Sequence, residues 1–393
     1  MGFPWLLILA VLTAQVFCDV RRPQFMNDTE CGCFVTNGTE PGFYAKHLFF
    51  DFRRLSQFAG ASDVIPDETL ASIAGPGSDY FAGDDWSQTW QLQGWNNSKG
   101  GNRTLSGDAT VLMVNSPSNV YIETDDQVKR RTGAPATFMT MRTKRLDSFQ
   151  TAAELQSQDS DYQFLSLRLL ARVVGDPGAV AGVFTYRDAS NPADVQEADL
   201  EILTSGPRDR VQYTNQPSSI GGEPNPAATR NATMPRGRAW SEWAVHRLDW
   251  TPRRSVWYVD GGKAASIAFQ VPRNPSSVHI NSWGNGGSWS GNMSVNGEAR
   301  LQVRWIEIVY NTTADSSRSG SHLSEKRQLK RAPRYEQMAS TKDGPRGCRV
   351  ACSIDETSET GRPVKLWESR ANRPTPSWGL AWVLSSALAH WAL

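Results

Sequence analysis

In the stretch VQEADLEIL, residues 195–203, a carboxylate recurs at every second position: Glu197, Asp199 and Glu201. An extended chain points alternate side chains to opposite faces, so these three project together while Ala198, Leu200 and Ile202 share the other face. The apolar set belongs in a core. The acidic set repels itself, a cost that a purely structural strand has little reason to carry; the bland counterpart is a solvent-washed acidic edge strand. The chemistry that wants this arrangement is glycoside cleavage with retention. It needs two carboxyl groups about 5–5.5 Å apart, one as nucleophile and one as acid, then base. Four residues of strand span about 13 Å, and two Glu side chains leaning inward across a concave, twisted sheet close most of that gap. Asp199, between them, can hydrogen-bond the nucleophile and keep the neighbouring acid protonated through its own charge.

A sheet must hold such a strand, and the chain supplies one. Short apolar stretches separated by Gly, Pro, Asn and Asp predict strands over 164–174, 179–186, 195–203, 245–250, 255–260, 278–283 and 301–310. Asp260-Gly261-Gly262 between two of them is a hairpin signal, because glycine tolerates the positive φ of a tight turn. Helix is expected only in short pieces, over 66–73 and near 151–155. Many short strands without alternating long helices predict an all-β sandwich. The 393 residues carry 41 Lys+Arg against 40 Asp+Glu, a balance that excludes a nucleic-acid partner. Fifteen Trp is a large number for this length, and flat rings stack on sugars, so carbohydrate is the expected partner. No Ser-His-Asp array and no clustered His for zinc stands out.

The acidic strand resembles the catalytic strand of glycoside hydrolase family 16, the glucanase/transglycosylase group with a concanavalin A-like jelly-roll β-sandwich. GAVAGVFTYR at 178–187 resembles the family's preceding strand. WAVHRLDWTP at 243–252 with VWYVDG at 256–261 resembles its hairpin, and NSWGNGGSWSG at 281–291 the Trp/Gly segment bordering the cleft. Three positions depart from the pattern: Gln196 where an acid is frequent, Ala198 for a large aliphatic, and Ala244 where many members have His. By position, the resemblance implies Glu197 as nucleophile, Asp199 as its helper and Glu201 as acid/base. Trp283 and Trp289 are the stacking candidates, with Tyr186 and Arg187 bordering the cleft. Trp86, Trp90 and Trp95 either line a loop over the cleft or plug the sandwich, and His246 reads as structural. No cofactor is required; a structural calcium enters by resemblance alone. The expected activity is hydrolysis of β-glucan or glycan transfer between such chains by a monomer. The alternatives are a lectin-like surface protein that binds without turnover and a structural surface glycoprotein.

The two ends read as processing signals. Residues 1–18 form a secretory signal peptide pattern, although without a leading Lys or Arg. Seven N-x-S/T sequons, at Asn27, Asn37, Asn96, Asn102, Asn231, Asn292 and Asn311, agree with a lumenal route. With Cys18 removed, Cys31, Cys33, Cys348 and Cys352 form two disulfides in an oxidising compartment. Cys31 and Cys33 are too close for an easy mutual bridge, which favours cross-links between the N- and C-terminal pairs, with local pairing as the alternative. The organisation is therefore a signal at 1–18, a catalytic sandwich at 19–313, a basic, Ser-rich linker with a cysteine-containing tail at 314–377, and a hydrophobic C-terminal signal at 378–393. That last run, WGLAWVLSSALAHWAL, has no charged residue. It is short for a membrane span and resembles a glycosylphosphatidylinositol attachment signal, with a retained anchor as the alternative. The CGC start and this tail resemble the secreted, wall-associated fungal members of the family, which places the protein at the cell surface or wall.

Overall fold

The computed structural model describes residues 23–99, 104–132, 136–315 and 348–368. The signal segment 1–18, the Asn102 sequon, most of the basic linker and the 378–393 tail lie outside the described residues. The architecture is a β-sandwich. One hydrogen-bonded path runs through Thr229–Thr233, Arg210–Gln216, Gln196–Leu203, Val180–Arg187, Ser277–Trp283 and Phe149–Ser157. It continues into Thr137–Arg145, Glu298–Thr312, Tyr162–Gly175, Ala244–Trp250, Ser255–Val259 and Gly262–Ile267. The path folds over at Phe149–Ser157, which pairs with Thr137–Arg145 at its start and with Ser277–Trp283 along its later half.

The two layers close on one core. The first contributes Ala198, Leu200, Ile202, Val278 and Ile280, and the second Leu165, Leu167, Leu169, Ile306 and Ile308. Each of these alternates with residues of the opposite face, so the period-2 pattern in the sequence selects the face that enters this core. Trp86 and Trp90 plug this core, stacked with ring centroids 5.9 Å apart. Asp260 and Gly261 turn the expected hairpin with φ of 48° and 77°.

One expectation is corrected. Residues 151–155 are not helical; they lie within the strand Phe149–Ser157. Thr-Ala-Ala-Glu-Leu has fair helix propensity, but the difference per residue is only a few tenths of a kcal/mol. Partners on both sides, Ala153–Gln156 against Ser282–His279 and Leu155–Ser157 against Leu92–Trp90, satisfy the backbone and bury both faces. At 66–73 the short helical piece is a 3-10 turn, Glu68–Leu70.

A small second sheet covers the outer face of the second layer. Its order is Phe43–Tyr44, Cys33–Val35, Val350–Ser353 and Val364–Glu368, and both disulfides, Cys31–Cys352 and Cys33–Cys348, cross between the N- and C-terminal pairs. The cysteine-containing segment is thus built into the body as a clasp. Phe34, Tyr44, Cys352 and Ile354 pack on Val309. Beneath them runs a chain of ion pairs: His47 bridges Asp28 and Glu307, Arg168 bridges Glu307 and Asp355, and Arg247 reaches Asp355 and Asp249.

Candidate active site

The acidic strand Gln196–Leu203 sits between Val180–Arg187 and Arg210–Gln216. Its pleat sends Ala198, Leu200 and Ile202 into the core and Glu197, Asp199 and Glu201 outward onto the open face of the first layer. Register then decides the neighbours. Glu197 lies between Tyr186 and Gln216, Asp199 between Phe184 and Thr214, and Glu201 between Gly182 and Gln212. The next strand, Ser277–Trp283, sets Ser277, His279 and Asn281 opposite Tyr186, Phe184 and Gly182. Gly182 matters because it has no Cβ. One there would stand 2.6 Å from Asn281 Oδ1, the atom that accepts the Gly182 N–H at 3.1 Å.

Electrostatics separates the three carboxyls. Burial pushes Glu201 up to about 7, the charge of Glu197 adds to the rise, and the Trp289 Nε1–H, donating to Glu201 Oε1 at 3.1 Å, holds it back. Asp199 is raised well above the ordinary carboxylate range, first by complete burial and then by the charges of Glu197 and Glu201. Its Oδ1 is buried with no partner, which suits a neutral carboxyl far better than an anion. Glu197 is also raised by burial, but the hydrogen bond with Asp199 and the nearby His279 favour its charged form. The Glu197–Asp199 pair therefore shares one proton, and Asp199 holds it, so the charge that helps to raise Glu201 is that of Glu197 and not, as the sequence suggests, that of Asp199. The strand thus sets Glu197, whose neighbours favour its charged form, beside Glu201, held up to about 7, and two-carboxylate chemistry needs such a difference.

The other expected residues sort by register. Trp289 is 39% exposed and reaches Glu201 directly. Its loop is tied down by Asp108, which accepts from the backbone and hydroxyl of Ser288, and by Thr110, which donates to Gly286 O. Trp283 is half-buried on the same face as His279 and Asn281. Tyr186 flanks Glu197 and donates to Asp188 at 3.3 Å. Arg187 is not brought to the carboxylates: it stands opposite Gln196, on the alternate side of the pleat, and is exposed. Gln196 itself accepts from Arg273 N and Asn274 N at 2.7 and 3.1 Å, so the amide that departs from the pattern anchors a loop. Of the three undecided tryptophans only Trp95 is exposed. His246 is buried, and burial pushes it down to about 4, in keeping with a structural role.

Sequence reasoning missed Glu154, Ser277 and His279. The alternation that singles out Trp283 in its strand also selects 281, 279 and 277, so two of the three carried a signal. Glu154 was hidden by the helical reading of 151–155. Among the described residues, no group of three or more His, Cys, Asp or Glu is placed to hold a metal ion.

Residues 114–307, which include the acidic strand and both its neighbours, match glycosyl hydrolases family 16. A xylanase/β-glucanase of Ruminococcus flavefaciens is 26% identical over 135 residues; the match covers 34% of this chain and spans 16% of that protein's length. Among solved structures, the endo-β-1,3-glucanase of Pyrococcus furiosus has a TM-score of 0.47 at 16% identity, covering 72% of this chain and 99% of its own. The β-glucanase of Bacillus licheniformis has a TM-score of 0.44 at 18% identity, covering 57% of this chain and 93% of its own. Through residues 114–307, the chain belongs to glycosyl hydrolases family 16.

Proposed function

We propose that this protein is a retaining β-glycosidase acting on β-glucan-type polysaccharide. The observation that carries the reading is the split within one strand: a carboxyl held up to about 7 at Glu201 and a proton-sharing pair at Glu197 and Asp199. Glu197 attacks the anomeric carbon and forms a glycosyl ester while Glu201 gives its proton to the departing oxygen. Glu201, now ionised, takes a proton from the incoming hydroxyl, whose oxygen displaces Glu197. Water as the acceptor gives hydrolysis, and a sugar hydroxyl gives glycan transfer. Asp199 keeps its proton on the nucleophile's flank, and Trp289 fixes the acid's orientation while offering a sugar-stacking face. Two carboxyl groups suffice for these steps, so no cofactor is invoked. The family membership and the xylanase/β-glucanase relative support β-glucan as substrate class.

The two disulfides and the sequons support an oxidising, secretory route for a monomeric surface enzyme. The 378–393 run supports a glycosylphosphatidylinositol anchor, with cell-wall remodelling as its task. The sequons are not equivalent: Asn311 is buried, accepting from Ala45 N and donating to Phe43 O, whereas Asn231 and Asn292 are exposed.

The test incubates the whole protein and its Glu197→Gln variant with β-1,3-, mixed-linkage β-1,3/1,4- and β-1,6-glucans, xyloglucan and chitin oligosaccharides, with products read by mass spectrometry. Shortened or lengthened chains that vanish in the variant are expected, and lengthening separates transfer from hydrolysis. Binding without any change of length would replace this reading with a lectin.

A further inference from the structure

Behind the two aromatic side chains that flank the acidic strand lies a buried polar cluster that the steps above do not use. His279 is 6% exposed and touches polar partners with both ring nitrogens: Nδ1 lies 3.0 Å from Glu154 Oε1, and Nε2 lies 2.8 Å from Ser277 Oγ. Proton counting ties the state of the ring to that of Glu154. The Ser277 hydroxyl has one hydrogen and donates it to Tyr186 O at 3.0 Å, so it accepts from Nε2–H. With Glu154 ionised, and so only accepting, Nδ1 also donates and the ring carries both protons.

That cation stacks on Phe184, with centroids 5.0 Å apart and planes 17° apart, and meets the edge of Tyr186 at 5.6 Å. Phe184 and Tyr186 stand opposite Asp199 and Glu197 across the ladder. His279 is buried beside these rings, where a charge is less screened than in water. The titratable groups around His279 are Glu154 on one neighbouring strand, Tyr186 on the other, and Glu197 and Asp199 one strand beyond. Of the two clamp members, the imidazolium acts on Glu197 more strongly than the Glu154 carboxylate does, and in the opposite direction.

We propose that His279, held doubly protonated between Glu154 and Ser277, is a positioning residue whose charge keeps Glu197 ionised as the nucleophile. Glu154 orients the ring through Nδ1, and its own charge opposes the ring's effect on Glu197. The inference rests on the reading of Glu197 as nucleophile, so its test must stand apart from turnover.

The experiment follows the Glu197 carboxyl by carbon-13 NMR in protein labelled at glutamate side-chain carboxyls, the resonance being assigned with Glu197→Gln. His279→Gln removes the cation and keeps a hydrogen-bonding group; the Glu197 midpoint should rise, on the order of one pH unit. Glu154→Gln removes the opposing anion, and the midpoint should fall. Opposite shifts from two neighbouring substitutions are not what simple loosening of the sheet produces. An unmoved midpoint in either folded variant, or shifts of the same sign, overturns the proposal. If His279→Gln does not fold, Glu154→Gln decides alone: a fall supports the proposal, and no change or a rise ends it. Retention of turnover by Glu197→Gln would instead remove the catalytic reading and leave the titration result standing.

Discussion

At the scale of single residues, burial acts unequally on three chemically similar side chains. Glu201 is lifted to about 7 by desolvation and by its neighbour's charge, while one indole N–H pulls it back. Activity through kcat/KM should therefore fall above about pH 7 as the acid loses its proton. A donor to a carboxylate favours the charged form, so removing it raises the carboxyl further. Trp289→Phe, which keeps an aromatic cover and drops the N–H, should move the alkaline limb to higher pH. A limb that stays in place or moves down would show that the Trp289 hydrogen bond does not set the acid. Glu201→Gln should lower turnover of polysaccharide at least a hundredfold, the usual worth of a positioned acid, with substrate binding retained when measured by calorimetry.

At the scale of elements, the clasp sheet and the cleft sheet are separate problems. The clasp is seated by His47, whose side chain is fully buried. Burial alone would lower its affinity for a proton, but the hydrogen bonds it donates to Asp28 and Glu307 reverse this and raise it to about 9. The folded value thus lies above the ordinary 6.5. The stabilisation is complete below about pH 6.5 and fades as pH climbs through about 9. His47→Gln should lower the melting temperature, with a loss of about 3 kcal/mol near pH 6 and much less above pH 9. Equal losses at both pH values would show that charge is not what holds the clasp. The strand Phe149–Ser157 shows the limit of local reading at this scale. Its Ala, Glu and Leu favour helix weakly, and two flanking strands override that preference. With it, Glu154 entered the site from a place where sequence pattern put no strand.

At the scale of the whole molecule, two cross-links tie segments 321 and 315 residues apart. Either one alone closes a loop most of the chain long, for which the chain-entropy estimate is about 6 kcal/mol, and the second, nested with the first, adds little. The clasp covers the outer face of the second layer, and the carboxylates stand on the outer face of the first. Replacing all four bridged cysteines by Ser should therefore lower thermal stability substantially. Per-molecule activity at low temperature should stay within about twofold of the parent, because no site residue touches the clasp. A large loss of turnover in variant protein that is still folded by circular dichroism would show that the two faces are coupled.

What the amino-acid order determined alone is what alternation and residue type can carry. The acidic triplet on one face, the apolar triplet behind it, seven strands placed to within a few residues and the hairpin at Asp260-Gly261 are all local consequences of a period of two and of turn chemistry. The four cysteines could be counted and their cross-pairing favoured from the closeness of Cys31 and Cys33. Register, by contrast, is a relation between distant segments, and only the tertiary structure decided it. It set Arg187 on the wrong side of the pleat, aimed Trp289 at Glu201, and brought His279 and Glu154, 125 residues apart, within 3.0 Å of each other. Charge states followed the same division. Which of three adjacent carboxyls keeps its proton depends on how much water each has lost and which donors it meets, and both quantities exist only once the layers have closed.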